Sequence, residues 1–272
     1  MEILVCVKKV PDTADAEVVL KPDGKGIREE DLAFGINEWD NYAVEEAIRI
    51  KEAHGGRVTV ATIGAPDSED VLRRCLAMGA DEAIMIDEAP FMGSDPYGIA
   101  RGLRGVVKKN AYDLVLAGTQ AGDDGYAMVG PVLAGYLGWP HATLVTSIAL
   151  EEKKISVTRE LEGGLEEMLT LELPAVLTIQ TGINEPRYVS IMGIRKVRSK
   201  EIPVLGLGDL GLASGEVGEH ANLLVSLGFS QPPAGRAAEM IKGTPAEVAQ
   251  KILDILKERG GSGLSGACIH HR

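Results

Sequence analysis

Aromatic residues are scarce in this chain, 4% of 272 residues, so the core must be aliphatic, built from Val, Ile, Leu and Ala. Cysteine is scarcer still. Cys6, Cys75 and Cys268 are far apart, odd in number and without metal-ligand spacing. That pattern argues against a disulfide framework and a zinc site, and points to a reducing, cytoplasmic compartment. No apolar run approaches the roughly 18 to 20 residues of a membrane helix. The opening MEILVCVKKV reads as a first strand, not as a signal peptide, and no membrane insertion is expected. Positive charge is in deficit: Lys and Arg number 28 against 40 Asp and Glu, a net charge of −12. Generic nucleic-acid binding is therefore not expected. Catalytic signatures are missing as well. There is no GxSxG, HExxH or CxxC, and none of the histidines, His54, His141, His220, His270 and His271, stands beside a candidate nucleophile. No catalytic residue and no metal ligand is assigned, and the sequence points to binding more than to bond-making.

What is present is an alternation of strands and helices. Ile3–Val7 reads as a strand, and residues 17–28 as a short hairpin around PDGKG. Asn37 is placed as the N-cap of a helix carrying Trp39, Tyr42, Ala43, Ala47 and Ile50 on one face and stopped by Gly55–Gly56. Strands at 57–64, 83–86 and 112–118 alternate with helices starting near Asp67–Ser68, at Asp95 and after residue 128. This order predicts an α/β fold with a parallel sheet and helices on both faces. Ligands of such sheets sit beyond the carboxyl ends of the strands, at the topological switch point. After Pro140 the pattern becomes alternating, and 143–180 reads as an antiparallel β extension with a turn at EEKK. Residues 180–205 read as a basic surface excursion and 206–222 as loop. Thr244, Pro245 and Glu247 start an amphipathic helix over 244–258 with a capping box. The Gly/Ser-rich tail, 260–272, is expected to be flexible. The expected domains are 1–205 and a C-terminal arm, 206–272.

The segment VLAGTQAGDDGYAMVGP, 115–131, ends a strand in glycines and acids just before a helix. Two readings stand side by side: a plain βα turn with capping acids, or a loop that holds phosphates on backbone N–H groups at a helix N-terminus. It is neither a Walker A loop nor a GxGxxG fingerprint. Asn37 and Asp40 lie on one turn at a helix start, either as cap and dipole partner or as ligands for backbone or a ribose hydroxyl. Lys8 and Lys9 read as a solvated charge pair or as groups facing phosphates or an acidic partner. The stretch EPRYVSIMGIRKVRSK sets Ile191, Met192 and Ile194 among Arg187, Arg195, Lys196, Arg198 and Lys200. Apolar residues within a basic rim suit a protein-docking surface. The alternative is a sheet edge guarded by charge.

Together these blocks resemble the β subunit of electron transfer flavoproteins over nearly the whole chain. The strongest match is VTRELEGGLEEMLTLELPAVLTIQTGINEPRYVSI, with its R-E-x-x-G-G-x-E, L-P-A-V and N-x-P-R-Y elements. CVKKVPD, AVEEAIRIKE, CLAMGADEAI and DLVLAGTQAGDDG match further blocks in order. The resemblance implies a Rossmann-like fold of the adenine-nucleotide α hydrolase type, shared with universal stress proteins. It implies a heterodimer with an α subunit that holds most contacts to the redox FAD. It implies that this subunit holds either a second FAD, as in members that bifurcate electrons from NADH, or a structural AMP. Val10–Thr13, Asp40 and Val129–Pro131 resemble the bifurcating group, and FAD is the first expectation, while Tyr126 and Met128 depart from that pattern. By matching positions the nucleotide pocket comprises Cys6, Asn37, Asp40, Ile63, Ala121, Asp123, Asp124, Gly125, Tyr126, Ala127, Met128, Val129 and Gly130. The partner-recognition loop is 184–200, with Arg187, Tyr188, Ile191, Met192, Arg195 and Lys196. The partners implied are an acyl-CoA dehydrogenase-type or other flavin dehydrogenase on the donor side and a ferredoxin or quinone reductase on the acceptor side. The competing class is a nucleotide sensor of the universal-stress-protein type, which explains 1–140 and leaves 143–200 unexplained. An ATP-pyrophosphatase-like enzyme would need an SGGxD-type loop where KKVPD stands.

Overall fold

The computed structural model describes residues 1–13, 16–30, 32–233, 235 and 238–258. The tail expected to be flexible lies outside the described residues. The chain divides into two units, Met1–Phe229 and Ser230–Arg272.

The first unit is built on a nine-stranded sheet. Its chain order is β1 (Glu2–Cys6), β2 (Lys9–Pro11), β3 (Phe34–Ile36), α1 (Glu38–His54), β4 (Arg57–Gly64), α2 (Glu69–Met78), β5 (Glu82–Asp87), α3 (Pro96–Lys109), β6 (Leu114–Gly118), α4 (Val129–Leu137), β7 (His141–Leu150), β8 (Lys154–Leu161), β9 (Leu165–Glu172), β10 (Ala175–Ile179), α5 (Ile191–Lys196), β11 (Val204–Leu205) and α6 (Leu207–Leu210). The strands lie in the order β11-β5-β4-β1-β6-β10-β7-β8-β9. All pairs from β11 to β7 are parallel; β7–β8 and β8–β9 are antiparallel. The expected α/β class holds.

Period-two alternation divides β1 between two cores. Ile3 and Val5 pack with α1 and α2 on one face. Leu4 and Cys6 pack with α3 and α4 on the other. Ile3, Leu4 and Val5 are wholly buried, each contributing about 1.5–3 kcal/mol of apolar burial. The chain leaves β1 toward β4 and β5 on one side and later returns through α3 to place β6 on its other side. The switch point is therefore between β1 and β6, at their carboxyl ends.

Several expectations are corrected. The final segment of the antiparallel extension, 175–179, is a parallel strand inserted between β6 and β7. Its five residues AVLTI are all buried, as a strand covered on both faces must be. The hairpin at 17–28 is reduced to one bridge, Leu20 to Ile27. The ribbon in this region instead pairs β2 with β3. Residues 206–229 fall within the first unit. Leu210 and the wholly buried Val217 join the core beneath α3. GLGDLG at 206–211 has dinucleotide-fingerprint spacing, but its helix is only four residues long and presses Leu210 on Gly105 of α3, so the run serves to pack Leu210, with Gly211 closing the helix at φ +67°.

Within the second unit, α7 (Pro245–Glu258) has no buried residue. The expected capping box is half formed. The Thr244 N–H donates to Glu247 Oε2 at 2.8 Å, but the Thr244 hydroxyl also donates to that carboxylate, at 2.9 Å.

Candidate functional site: a cleft at the strand switch point

The first turn of α1 points at the switch point. Asp40 is buried there, and its carboxylate bridges the two central strands. Oδ2 accepts the Lys8 N–H at 2.8 Å and Oδ1 accepts the Gly118 N–H at 2.9 Å. Asn37, one turn earlier, holds the next part of the same loop. Its Nδ2 donates to the Gln120 carbonyl at 2.8 Å, and its Oδ1 accepts the Gly122 N–H at 3.1 Å. Asn37 occupies the N-cap position without a side-chain cap bond to its helix. The amide that sequence reading gave to the helix is spent on the loop instead.

Burial pushes the Asp40 carboxyl up to about 7, against the lowering effect of its two backbone donors. Burial, aided by the Asp40 charge, pushes the Cys6 thiol up to about 12. Cys6 is therefore a neutral apolar lining group and not a nucleophile.

The loop after β6 is ordered by its own acids. Asp123 Oδ1 accepts the Asp124 N–H at 2.9 Å, Asp124 Oδ1 accepts the Tyr126 N–H at 3.0 Å, and the Gly125 N–H donates to the Ala121 carbonyl at 2.9 Å. Lys8 Nζ donates to Asp123 Oδ1 and Asp124 Oδ2, both at 2.7 Å. Lys9 Nζ pairs with Asp67 and lies 5.0 Å from the centre of the Phe34 ring. The lysines expected as a solvated pair are thus each committed to carboxylates. Gly125 has φ +61° and Ala127 φ +53°, left-handed conformations that a non-glycine residue adopts at a cost of roughly 1 kcal/mol or more.

These elements enclose a cleft of about 320 Å³, within the range of small-ligand sites. Of the residues expected in the pocket, Cys6, Asn37, Asp40, Ile63, Ala121, Asp124, Tyr126, Ala127, Met128 and Val129 line it; Asp123, Gly125 and Gly130 do not. Asp123 is taken by Lys8. Gly130 lies against Thr178, whose Cγ2 would stand 2.2 Å from an added Cβ, so this glycine seats α4 on β10. The first helical bond of α4 runs from the Val132 N–H to the Met128 carbonyl at 3.0 Å. The N–H groups of Val129 and Gly130, ahead of it, belong to the open end of a helix dipole.

Sequence reading missed the opposite wall, made by Glu88, Phe91, Met92, Ser94, Ile99 and Leu103. The signal was available, because residues 88–94 follow the carboxyl end of β5. Asp95 fixes this wall. It caps α3 through the Tyr97 and Gly98 N–H groups and accepts the Leu223 and Leu224 N–H groups at 2.7 and 3.1 Å. These four donors outweigh partial burial and hold its carboxyl below the ordinary value.

On the α1–α2 face, residues 184–200 form an exposed loop and the short helix α5. Tyr188, Ile191 and Met192 are exposed, as are Arg195 and Lys196. Arg187 differs. Its guanidinium turns inward to Glu45 and Glu52, with Nε–Oε2 and Nη2–Oε1 contacts to Glu45 at 2.9 Å, which raises its already high pKa.

Residues 25–210 match the electron transfer flavoprotein domain. The chain is 39% identical over 266 residues to the electron transfer flavoprotein subunit beta of Methylophilus methylotrophus, covering 96% of this chain and 100% of the relative. It is 35% identical over 263 residues to the subunit of that name from Homo sapiens, covering 96% and 98%. It is 38% identical over 262 residues to the caffeyl-CoA reductase-Etf complex subunit CarD of Acetobacterium woodii, covering 95% and 99%. The chain belongs to the electron transfer flavoprotein β-subunit family. Its role is that of an electron-carrier subunit. Among the described residues no helix is long and apolar enough to cross a membrane, and no group of three or more His, Cys, Asp or Glu could hold a metal ion.

Proposed function

We propose that the cleft holds an adenine nucleotide and that the chain works as one half of a heterodimer whose α subunit carries the redox FAD. The observation that carries this reading is the Asn37–Asp40 turn, which spends two buried polar side chains on shaping the loops of β1 and β6 around a cleft that ends at the open N-terminus of α4. The residues fit the group: a phosphate reaches the open end of α4 at Val129, with Cys6, Ile63 and Ala117 as an apolar floor.

Two ligands fit this reading. The cleft volume, at the lower end for small-ligand sites, favours a mononucleotide, AMP, which makes the subunit part of a single-flavin shuttle. The Val10–Thr13 and Val129–Pro131 segments favour FAD. A flavin here would accept a hydride from NADH and pass single electrons to two acceptors. The universal-stress-type sensor reading loses ground, because residues 141–205 are integral to the sheet and its flank. In this account electrons arrive from an acyl-CoA dehydrogenase-type or other flavin dehydrogenase that docks on the exposed Tyr188–Lys196 segment. They leave to a ferredoxin or quinone reductase. The basic rim complements an acidic partner face, and the cysteine pattern supports a cytoplasmic setting.

Gly125→Val is expected to lower nucleotide content at least tenfold, because a β-branched residue cannot hold φ +61° without strain. Unchanged nucleotide per chain on release by acid would remove the loop from the site. Ile191→Ala is expected to raise the KM for the reduced dehydrogenase about fivefold to thirtyfold, the effect of about 1–2 kcal/mol at a docking anchor. Flavin and nucleotide should be unaltered, and their loss in that variant would show that residue 191 acts on the fold and not on docking.

A further inference from the structure

The docking segment cannot hold its own shape. α5 has six residues, far below the length at which a helix is stable alone. It has a local cap, the Ser190 hydroxyl accepting the Gly193 N–H at 3.1 Å, but no buried residue. Its conformation must come from what grips its two ends.

The leading end is gripped by α1. Asn184 Nδ2 donates to Glu46 Oε2 at 2.9 Å and to the Tyr42 carbonyl at 3.1 Å. The Arg187 N–H and guanidinium close on Glu45. The trailing end is gripped by Arg73 of α2, beside Lys200, whose Nζ donates to the Asp81 carbonyl at 3.0 Å, and Val197, which packs against the core. Arg73 Nη1 donates to the Val197 carbonyl at 2.7 Å and to the Lys200 carbonyl at 2.6 Å, while its Nε donates to Glu69 Oε1 at 2.9 Å. Val197 is the residue that ends α5. Arg73 thus satisfies carbonyls at the negative end of that helix with a charged, planar donor, held in plane by Glu69. The Arg73 side chain is only 13% exposed, so its charge is spent on this task and not offered to a partner. A lysine has no fork with which to serve Glu69 and two carbonyls together.

We propose that Arg73 is a positioning residue for partner docking. With Arg187 it forms a two-point clamp that presents Ile191 and Met192 in one fixed register. This rests on the docking reading above and adds the residue that pre-organises the surface. Pre-organisation raises affinity by removing the ordering of these side chains and their backbone from the binding step.

The test uses the complete complex co-expressed with its α subunit, carrying Arg73→Gln, Arg73→Lys or Ile191→Ala. Trypsin reports loop order directly, since it cuts after Arg195, Lys196, Arg198 and Lys200. Arg73→Gln is expected to speed cleavage at these bonds about tenfold, the loss of charged hydrogen bonds to two carbonyls. Arg73→Lys should fall between it and the parent, and Ile191→Ala should cleave at the parent rate. With a reduced acyl-CoA dehydrogenase as electron donor, Arg73→Gln should raise KM about fivefold at unchanged kcat and nucleotide content. Parent-rate cleavage, or faster cleavage with an unchanged KM, overturns the proposal. If the parent complex takes no electrons from the dehydrogenase, the docking reading falls, and the trypsin rates still decide whether Arg73 clamps the segment.

Discussion

Gly118→Ala is expected to destabilise the protein by about 3 kcal/mol and to empty the cleft of nucleotide. Gly118 ends β6 at the point where α1 approaches closest. A Cβ there would stand 2.4 Å from Asp40 Oδ1, 2.6 Å from Trp39 Cβ and 2.9 Å from the Asp40 backbone nitrogen. Two of these atoms cannot rotate away. Either α1 backs off, losing the Asp40 bonds to Lys8 and Gly118, or β6 shifts against β1 and β10 in the middle of the sheet. Overpacking of this kind costs about 1–3 kcal/mol, and more where backbone must move. Chemical denaturation gives the stability change, and nucleotide released per chain gives the occupancy. A Gly118→Ala protein with parent stability and parent nucleotide content would show that the approach of α1 does not shape the cleft.

The second large effect belongs to Asp40. Asp40→Ala strands the Lys8 and Gly118 N–H groups, both partly buried donors; at about 1–3 kcal/mol for each donor left without a partner, a total of roughly 2–6 kcal/mol is expected. Asp40→Asn keeps one acceptor and turns an NH2 toward the other N–H, so it should fall between. The carboxyl also sets a pH dependence. Its folded pKa, about 7, lies above the unfolded value of about 3.9. The native state therefore binds the extra proton between those values, and this group's contribution to stability falls as pH rises through that window and levels off above about 7. Below about pH 4 both states are protonated and the group contributes no pH dependence. Denaturation midpoints of the parent and Asp40→Asn, compared from pH 4 to 8, should converge as pH rises through this window. Parallel curves would show that Asp40 titrates as an ordinary carboxylate.

How much of this was legible in the sequence depended on how far apart the interacting residues lie. Local signals read well. The Asp95 cap, the glycine stop after α1, the βα alternation and the turn at 151–153 each depend on neighbours a few residues apart, and the structure has them. Strand β10 was misplaced because it follows a hairpin and seemed to continue it. Its composition, AVLTI without a polar alternate, was the available sign of a strand buried on both faces. Ten of the residues named by family resemblance and by the carboxyl-end rule line the cleft, but their tasks in shaping it were not legible. Asn37 and Gly122 are 85 positions apart, Lys8 and Asp123 are 115 apart, and Arg187 and Glu45 are 142 apart. Only the strand order brings these pairs together, and no local periodicity encodes it. Glu45 and Glu46 are buried on α1, where Arg187 and Asn184 come back to meet them. Arg73 gave no sign of its role, since two backbone carbonyls over 120 residues away have no side-chain signature at all.

The most direct test of the account is a nucleotide census of the complex purified with its co-expressed α subunit. The ligands are released by denaturation, and FAD and AMP are counted per heterodimer by chromatography. The account predicts an adenine nucleotide beyond the single FAD of the α subunit: AMP in a single-flavin shuttle, or a second FAD in a bifurcating carrier. A heterodimer with one FAD and no further nucleotide would contradict it, and the cleft between β1 and β6 would then need another ligand.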